Sequence, residues 1–219
     1  MEVRILSGVP FLINRFMRIN DLLEKDFYGM SQSLWHVTKT YLFSSIFEKR
    51  YFETSSLSDK DEMEAVIHAL YPDVDINSEE FLNLVTEFEY DRYMSFSKRS
   101  NNDYAKLVIE NAYPVNIEFH KAKLINDFNF IDIDYMKYRN KKEKMNRTED
   151  ATEYRLLTNQ YRLYIYNSNY IKAIHICSQN FDRDKKYYLK AHKKDNFKIY
   201  LYPTAEDTIS ITNNRVRIK

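Results

Sequence analysis

Glycine is nearly missing from this chain: Gly8 and Gly29 stand alone among 219 residues. A phosphate-cradling loop or a dinucleotide fingerprint needs several glycines close together so that the backbone can approach the anion, which excludes both. A serine nucleophile on a tight elbow needs flanking glycines, and no serine has them. Cysteine occurs once, as Cys177, so no internal disulfide and no cysteine-built metal cage can form, and a reducing, cytoplasmic setting is the default. Cys177 sits in an apolar strand pattern and reads as a small buried side chain. The five histidines never take His-x-x-x-His ligand spacing, so no metal is expected. No apolar run approaches a membrane span, and residues 1–16, broken by Glu2, Arg4 and Arg15, lack the small-residue cleavage site of a secretory leader. No membrane partner is expected. A net charge of +1 supplies no global field for a polyanion, which leaves a local patch as the means of holding one.

What the chain has instead is rings, 19 Tyr and 14 Phe, within a hydrophobic content of 44%. The core must be built from large amphipathic side chains whose hydroxyls find partners. AT-rich codon usage would give the same excess, so no function follows from it.

The patterning predicts an α+β chain with one core and helices mostly in the N-terminal half. Residues 1–32 read as an N-terminal arm or flap and 33–219 as a single domain. A strand at 33–38 leads into a helix with Leu42, Phe43, Ile46 and Phe47 on one face, and β character returns at 50–54. Ser58, with Asp61 three residues on, reads as the cap of a helix carrying Met63, Val66, Ile67 and Leu70, which Tyr71-Pro72 ends. Ser78 caps the next, with Phe81, Leu82, Val85 and Phe88 on its apolar face. Strands follow at 92–97 and 115–119, with a helix at 104–112 between them, and residues 128–135 alternate as a half-buried strand. Glu153 heads a further strand, with others at 161–166, 170–177, 197–202 and 207–211. A surface helix falls at 182–194, and Asn213-Asn214 turn into a basic terminal strand. Lys137, Arg139, Lys141, Lys142, Lys144 and Arg147 form the strongest local basic patch, on an exposed helix or loop.

Three separated elements carry chemistry: Trp35-His36-Val37-Thr38, Tyr93-Met94-Ser95-Phe96-Ser97, and Glu153-Tyr154-Arg155. Each has a plain structural use. A histidine beside Trp is commonly a hydrogen-bonded core residue, Ser-Phe-Ser is a strand end, and Glu-x-Arg is the pattern of a surface ion pair. A fourth group, Glu118, His120 and Lys121, leaves a nucleic-acid hydrolase open, although its spacing breaks the alternation such a site uses.

The order of these motifs resembles a widespread bacterial family of unknown function, whose pattern runs His-Tyr-Thr, Asn-Asp-x-x-Glu, Ser-Phe-Ser, Glu-Phe and Glu-Tyr-Arg. Here it reads His36-Val37-Thr38, Asp59-Lys60-Asp61-Glu62, Ser95-Phe96-Ser97, Glu118-Phe119 and Glu153-Tyr154-Arg155, spanning residues 33 to about 211. The same skeleton is similar to DarT-type ADP-ribosyltransferase toxins. That resemblance implies a split β-sheet core of ADP-ribosyltransferase type and NAD as the substrate that donates ADP-ribose. It also implies a macromolecular acceptor, RNA or DNA favoured over protein, held through the Lys137 to Arg147 patch. A toxin or antiviral-defence effector with an antitoxin or inhibitor partner would be the setting. Glu153 would be the catalytic carboxylate, and His36 would share that catalytic role while orienting a ribose hydroxyl, with Thr38 supporting it. Tyr41 or Tyr93 would stack on nicotinamide, Ser95 would hold the ribose, and Arg155 would orient a carboxylate or contact a phosphate. The chain departs from the family at Val37, where the family has Tyr, and lacks its Trp after Ser-Phe-Ser. It is therefore either a divergent enzyme or a binding protein that kept the fold and lost the chemistry.

Overall fold

The computed structural model describes residues 33–111, 113–134, 152–191 and 195–219. The expected arm at 1–32, the basic segment from Lys137 to Arg147 and the last turn of the 182–194 helix lie outside them. Within the described residues the chain is α+β. Its first part runs β1 (Ser33–Lys39), α1 (Thr40–Lys49), β2 (Phe52–Glu53), β3 (Ser55–Ser56), α2 (Lys60–Leu70), α3 (Glu79–Phe88), β4 (Arg92–Phe96) and α4 (Asp103–Asn111). The rest runs β5 (Pro114–His120), α5 (Lys121–Asp127), β6 (Asn129–Asp134), β7 (Thr152–Thr158), β8 (Arg162–Leu163), β9 (Ile171–Cys177), α6 (Phe181–Ala191), β10 (Lys198–Tyr202), α7 (Ala205–Ser210) and β11 (Val216–Arg217).

Local chemistry sets most of these elements. In α2 the i, i+3, i+4 spacing puts Met63, Val66, Ile67 and Leu70 in the core. Its cap is Asp59 rather than Ser58, because the Asp59 carboxylate accepts from the Asp61 and Glu62 amides. Ser78 caps α3 as expected, accepting from Phe81 N at 3.1 Å. The apolar faces turn slightly from expectation. Leu84 is buried in α3 while Leu82 is 62% exposed, and in α1 Phe43 and Phe47 are buried while Leu42 is 48% exposed. With glycine so scarce, other residues take the left-handed turns that close helices: Arg50 (φ 63°) ends α1 and Ile211 (φ 52°) ends α7.

Two sequence expectations fail here. Residues 207–211 are not a strand but lie in α7 and its C-cap: Thr204 Oγ1 accepts from Asp207 N, and this cap outweighs the β-leaning Thr-Ile-Ser-Ile run. The strand expected at 161–166 shrinks to Arg162–Leu163, which pairs with Phe52–Glu53 in a short ribbon. Helix α5 was not anticipated at all.

β1, β5, β9, β10 and β11 form a five-stranded sheet in that order, mixed because β9 and β10 run parallel. β3, β4, β7 and β6 form a four-stranded antiparallel sheet. A bridge between Trp35 and Ser97 joins the edge strand β1 to the end of β4. The rings fill the space between the sheets: Phe96 meets Phe119 at 5.3 Å and Phe130 at 5.5 Å, and Phe52 meets Phe119 at 5.8 Å. The phenylalanines thus serve the core, whereas several tyrosines, Tyr90 and Tyr164 among them, are exposed; Cys177 is buried as expected. No helix among the described residues is long and apolar enough to cross a membrane.

Glu118 pins β1 to the sheet. Its Oε1 accepts from Ser33 Oγ and from Lys172 Nζ, each at 2.6 Å, while His175 Nε2 stands 3.7 Å from Oε2, too far for a full hydrogen bond. Burial raises the Glu118 pKa, but the approach of His175 and the bonds from Lys172 and Ser33 outweigh it and hold the carboxyl down, from the ordinary 4.5 to about 2. The folded value lies below the unfolded one, so the stabilisation is complete above 4.5 and is lost as pH falls toward 2. We expect acid to remove about 1 to 2 kcal/mol through this one group, since water screens the exposed Lys172 ammonium. Urea melts across that pH window should show Glu118→Gln less stable than wild type near neutrality and markedly less acid-sensitive.

Candidate functional site

Strand β1 meets β4 through reciprocal backbone bonds: Trp35 N donates to Ser97 O at 3.0 Å and Ser97 N to Trp35 O at 2.8 Å. Side chains alternate along a strand, so Trp35 and His36 point to opposite faces. The His36 ring packs beside Phe52 and Phe96 and its Nδ1 bonds the Ser95 carbonyl at 2.9 Å. A carbonyl can only accept, so Nδ1 carries the proton and Nε2 is left as an acceptor. Burial lowers the His36 pKa, with the Ser95 carbonyl and the Glu153 charge opposing it, so the ring is neutral at pH 7.

From β4 and β7 come the charged groups. Ser95 faces Arg155 in register, and Glu153 lies two residues earlier on the same face of β7. Ser95 Oγ donates to Glu153 Oε1, and Arg155 Nε donates to the same oxygen at 2.8 Å. The other arm of the guanidinium pairs with Glu62 from the first turn of α2, and its carbon lies 4.5 Å from the centre of the Tyr93 ring. The Asp59 cap bonds the Glu62 amide and so fixes the turn from which Glu62 reaches Arg155.

Arg155 is 1% exposed, which corrects the surface ion pair expected for Glu-x-Arg. A guanidinium taken out of water needs partners on both arms of its fork, and two half-buried carboxylates and an aromatic face supply them. One guanidinium against two carboxylates leaves this trio a formal charge of −1.

The structure therefore brings together His36, Ser95, Glu153, Arg155 and Tyr93. Thr38 is buried two positions along β1 on the His36 face, opposite Val115, and its hydroxyl takes no part in the network around Glu153. Tyr41 is 65% exposed on the first turn of α1, beside the Lys39 ammonium, and is not brought to this cluster. Tyr93 turns a ring face to Arg155, and burial raises its hydroxyl pKa. Glu62 was missed as a site residue, although the spacing Asp59-x-x-Glu62 has the form of a helix start with an acid placed to reach back. Of the group Glu118, His120 and Lys121, Glu118 is engaged by Ser33 and Lys172, His120 lies within reach of the Glu118 and Lys172 charges, and the Lys121 ammonium stands 5.5 Å from the Tyr154 ring centre.

No family model and no curated protein matches this chain. The arrangement itself offers half-buried carboxylates, a neutral imidazole acceptor and a net negative charge beside an aromatic ring. Such a set suits a ligand that brings hydroxyl donors and a positive charge.

Proposed function

We propose that this chain is an NAD-dependent ADP-ribosyltransferase acting on a macromolecular acceptor, RNA or DNA favoured over protein, on a core of ADP-ribosyltransferase type. The observation that carries this reading is the convergence of His36, Ser95 and Glu153, far apart in sequence, into one hydrogen-bonded cluster where the two sheets join. The donor set fits: the nicotinamide half of NAD carries ribose hydroxyls, which need acceptors, and a cationic ring, which a net negative site favours. NAD supplies a labile bond from ribose to a cationic leaving group. Glu153 accepts from a ribose hydroxyl and stabilises positive charge growing on the sugar. His36 Nε2 accepts from a second hydroxyl. Ser95 and Arg155 keep the Glu153 carboxylate in place, and Glu62 steadies Arg155 from behind.

Binding is tested by thermal melting. At tenfold its Kd, NAD should raise Tm by roughly 3 to 6 °C for a domain of this size. No shift across millimolar NAD, together with no nicotinamide formed, sinks the proposal.

A second reading has its own support. Glu153 Oε1 already takes two donors, Ser95 and Arg155, which suits a binding module whose carboxylate is structural. In that case NAD would bind without turnover, or not at all.

A further inference from the structure

On a face built from the end of α1, β2, β8 and the start of β4, cations and tyrosine rings alternate. Arg92 lies 4.9 Å from the centre of the Tyr161 ring. Arg162 stands between two rings, 5.9 Å from Tyr161 and 4.9 Å from Tyr51. Lys49 closes the row at 5.8 Å from Tyr51, and Tyr164 stands edge-on to Tyr51 with centres 5.7 Å apart. The pairing of Glu53 with Arg162 across the ribbon sets this order, because it puts Tyr161 and Arg162 beside the end of α1. Arg92 is fixed from below, its Nε donating to Thr54 Oγ1 at 2.8 Å and its Nη2 to the Thr54 carbonyl at 2.5 Å.

These rings are not core. Tyr164 is 66% exposed and Tyr161 49%. Among the side chains in contact with the row, the opposing charge is Glu53, which pairs with Lys49 at 3.1 Å and shares a bond with the Tyr161 hydroxyl. Among the described residues three cations of the row thus meet one carboxylate, on a chain whose overall charge is close to zero.

We propose that this row binds single-stranded nucleic acid. Phosphates pair with Arg162, Lys49 and Arg92, and unpaired bases pack against the exposed Tyr164 and Tyr161 rings. A duplex keeps its bases stacked inside and can use the cations but not the rings, so the row prefers single strands. A bare polyanion is limited in the same way. Because the binding needs neither NAD nor Glu153, it stands or falls apart from the transferase reading.

The test is fluorescence anisotropy with labelled mixed-sequence oligonucleotides, DNA and RNA, single- and double-stranded, without NAD. Single strands should bind tighter than duplex, with affinity falling as salt rises. Tyr164→Ala and Tyr161→Ala should each weaken single-strand binding by about tenfold, the effect of losing one stacked base. Arg162→Ala should weaken both single strand and duplex and flatten the salt dependence. All three residues are exposed, so unchanged melting temperatures will separate lost binding from lost folding. Comparison of the DNA and RNA arms identifies the strand type. Equal affinity for duplex, full displacement by inorganic polyphosphate at matched charge, or wild-type binding by the Tyr161→Ala/Tyr164→Ala double variant would each overturn the inference.

Discussion

Glu153→Gln should reduce nicotinamide release from NAD by roughly a hundred- to a thousand-fold, the usual loss when one preorganised electrostatic group is removed from a transition state. The substitution keeps the shape, and the amide oxygen can still accept from Ser95 and Arg155, so the change is in charge and not in position. NAD affinity, read by the thermal shift, should fall far less than turnover, because the charge on the sugar grows as the bond breaks. A variant with turnover near wild type would show that the carboxylate is structural and move the binding-module reading ahead. Ser95→Ala is the informative companion. It removes the hydroxyl that holds Glu153 but leaves the backbone carbonyl that His36 uses, so its loss should be smaller.

The second large effect concerns stability. Replacing Glu62 and Glu153 together by Gln leaves the Arg155 guanidinium buried with no counter-charge in its trio, and should cost about 3 to 5 kcal/mol. Either single replacement keeps one carboxylate on the fork, so each should cost much less than half of that. The double-mutant cycle in urea should therefore show strong coupling. Adding Arg155→Met to the double variant should restore much of the loss, since the orphaned charge is then gone. Simple additivity of the two single variants would mean that Arg155 finds compensation elsewhere, and would remove the argument that the trio acts as a unit.

The two effects share a cause. Arg155 binds both carboxylates, so the group proposed for chemistry also neutralises a buried cation, and a substitution at Glu153 reads on rate and on stability together. Glu62→Gln separates them. It should leave Ser95 and Glu153 bonded and lower stability with a modest change in turnover.

Several elements were legible because a local rule decides them. The α2 face needed helical spacing alone, and the Ser78 cap needed a hydroxyl before an apolar run. The apolar Phe130, Ile131 and Ile133 around Asp132 marked β6 as a strand, but the adjacent Phe130 and Ile131 are both buried, so it is covered on both faces there rather than half-buried. Where the rule was weak, neighbours decided. Thr-Ile-Ser-Ile is β-leaning on its own, yet Thr204 and the left-handed Ile211 close it into a helix. Leu82 and Leu84 lie on nearly opposite sides of α3, two residues or about 200° apart; Leu84 shares the Phe81 and Phe88 face and is buried, while Leu82 turns to solvent.

For the site, the chain by itself determined the inventory: one histidine beside a strand end, a Ser-Phe-Ser, a Glu-x-Arg, almost no glycine and a single cysteine. It also excluded glycine-rich phosphate loops, because those need clustered glycines and Gly8 and Gly29 stand alone. The tertiary structure decided which members meet. The Trp35–Ser97 bridge brings β1 to β4, and the β4–β7 register sets Ser95 against Arg155 beside Glu153. It decided too that Arg155 is buried, that Glu62 belongs with it, and that Tyr41 does not. Pairings such as Glu62 with Arg155, 93 positions apart, leave no periodic trace in a sequence, because packing and strand register set them.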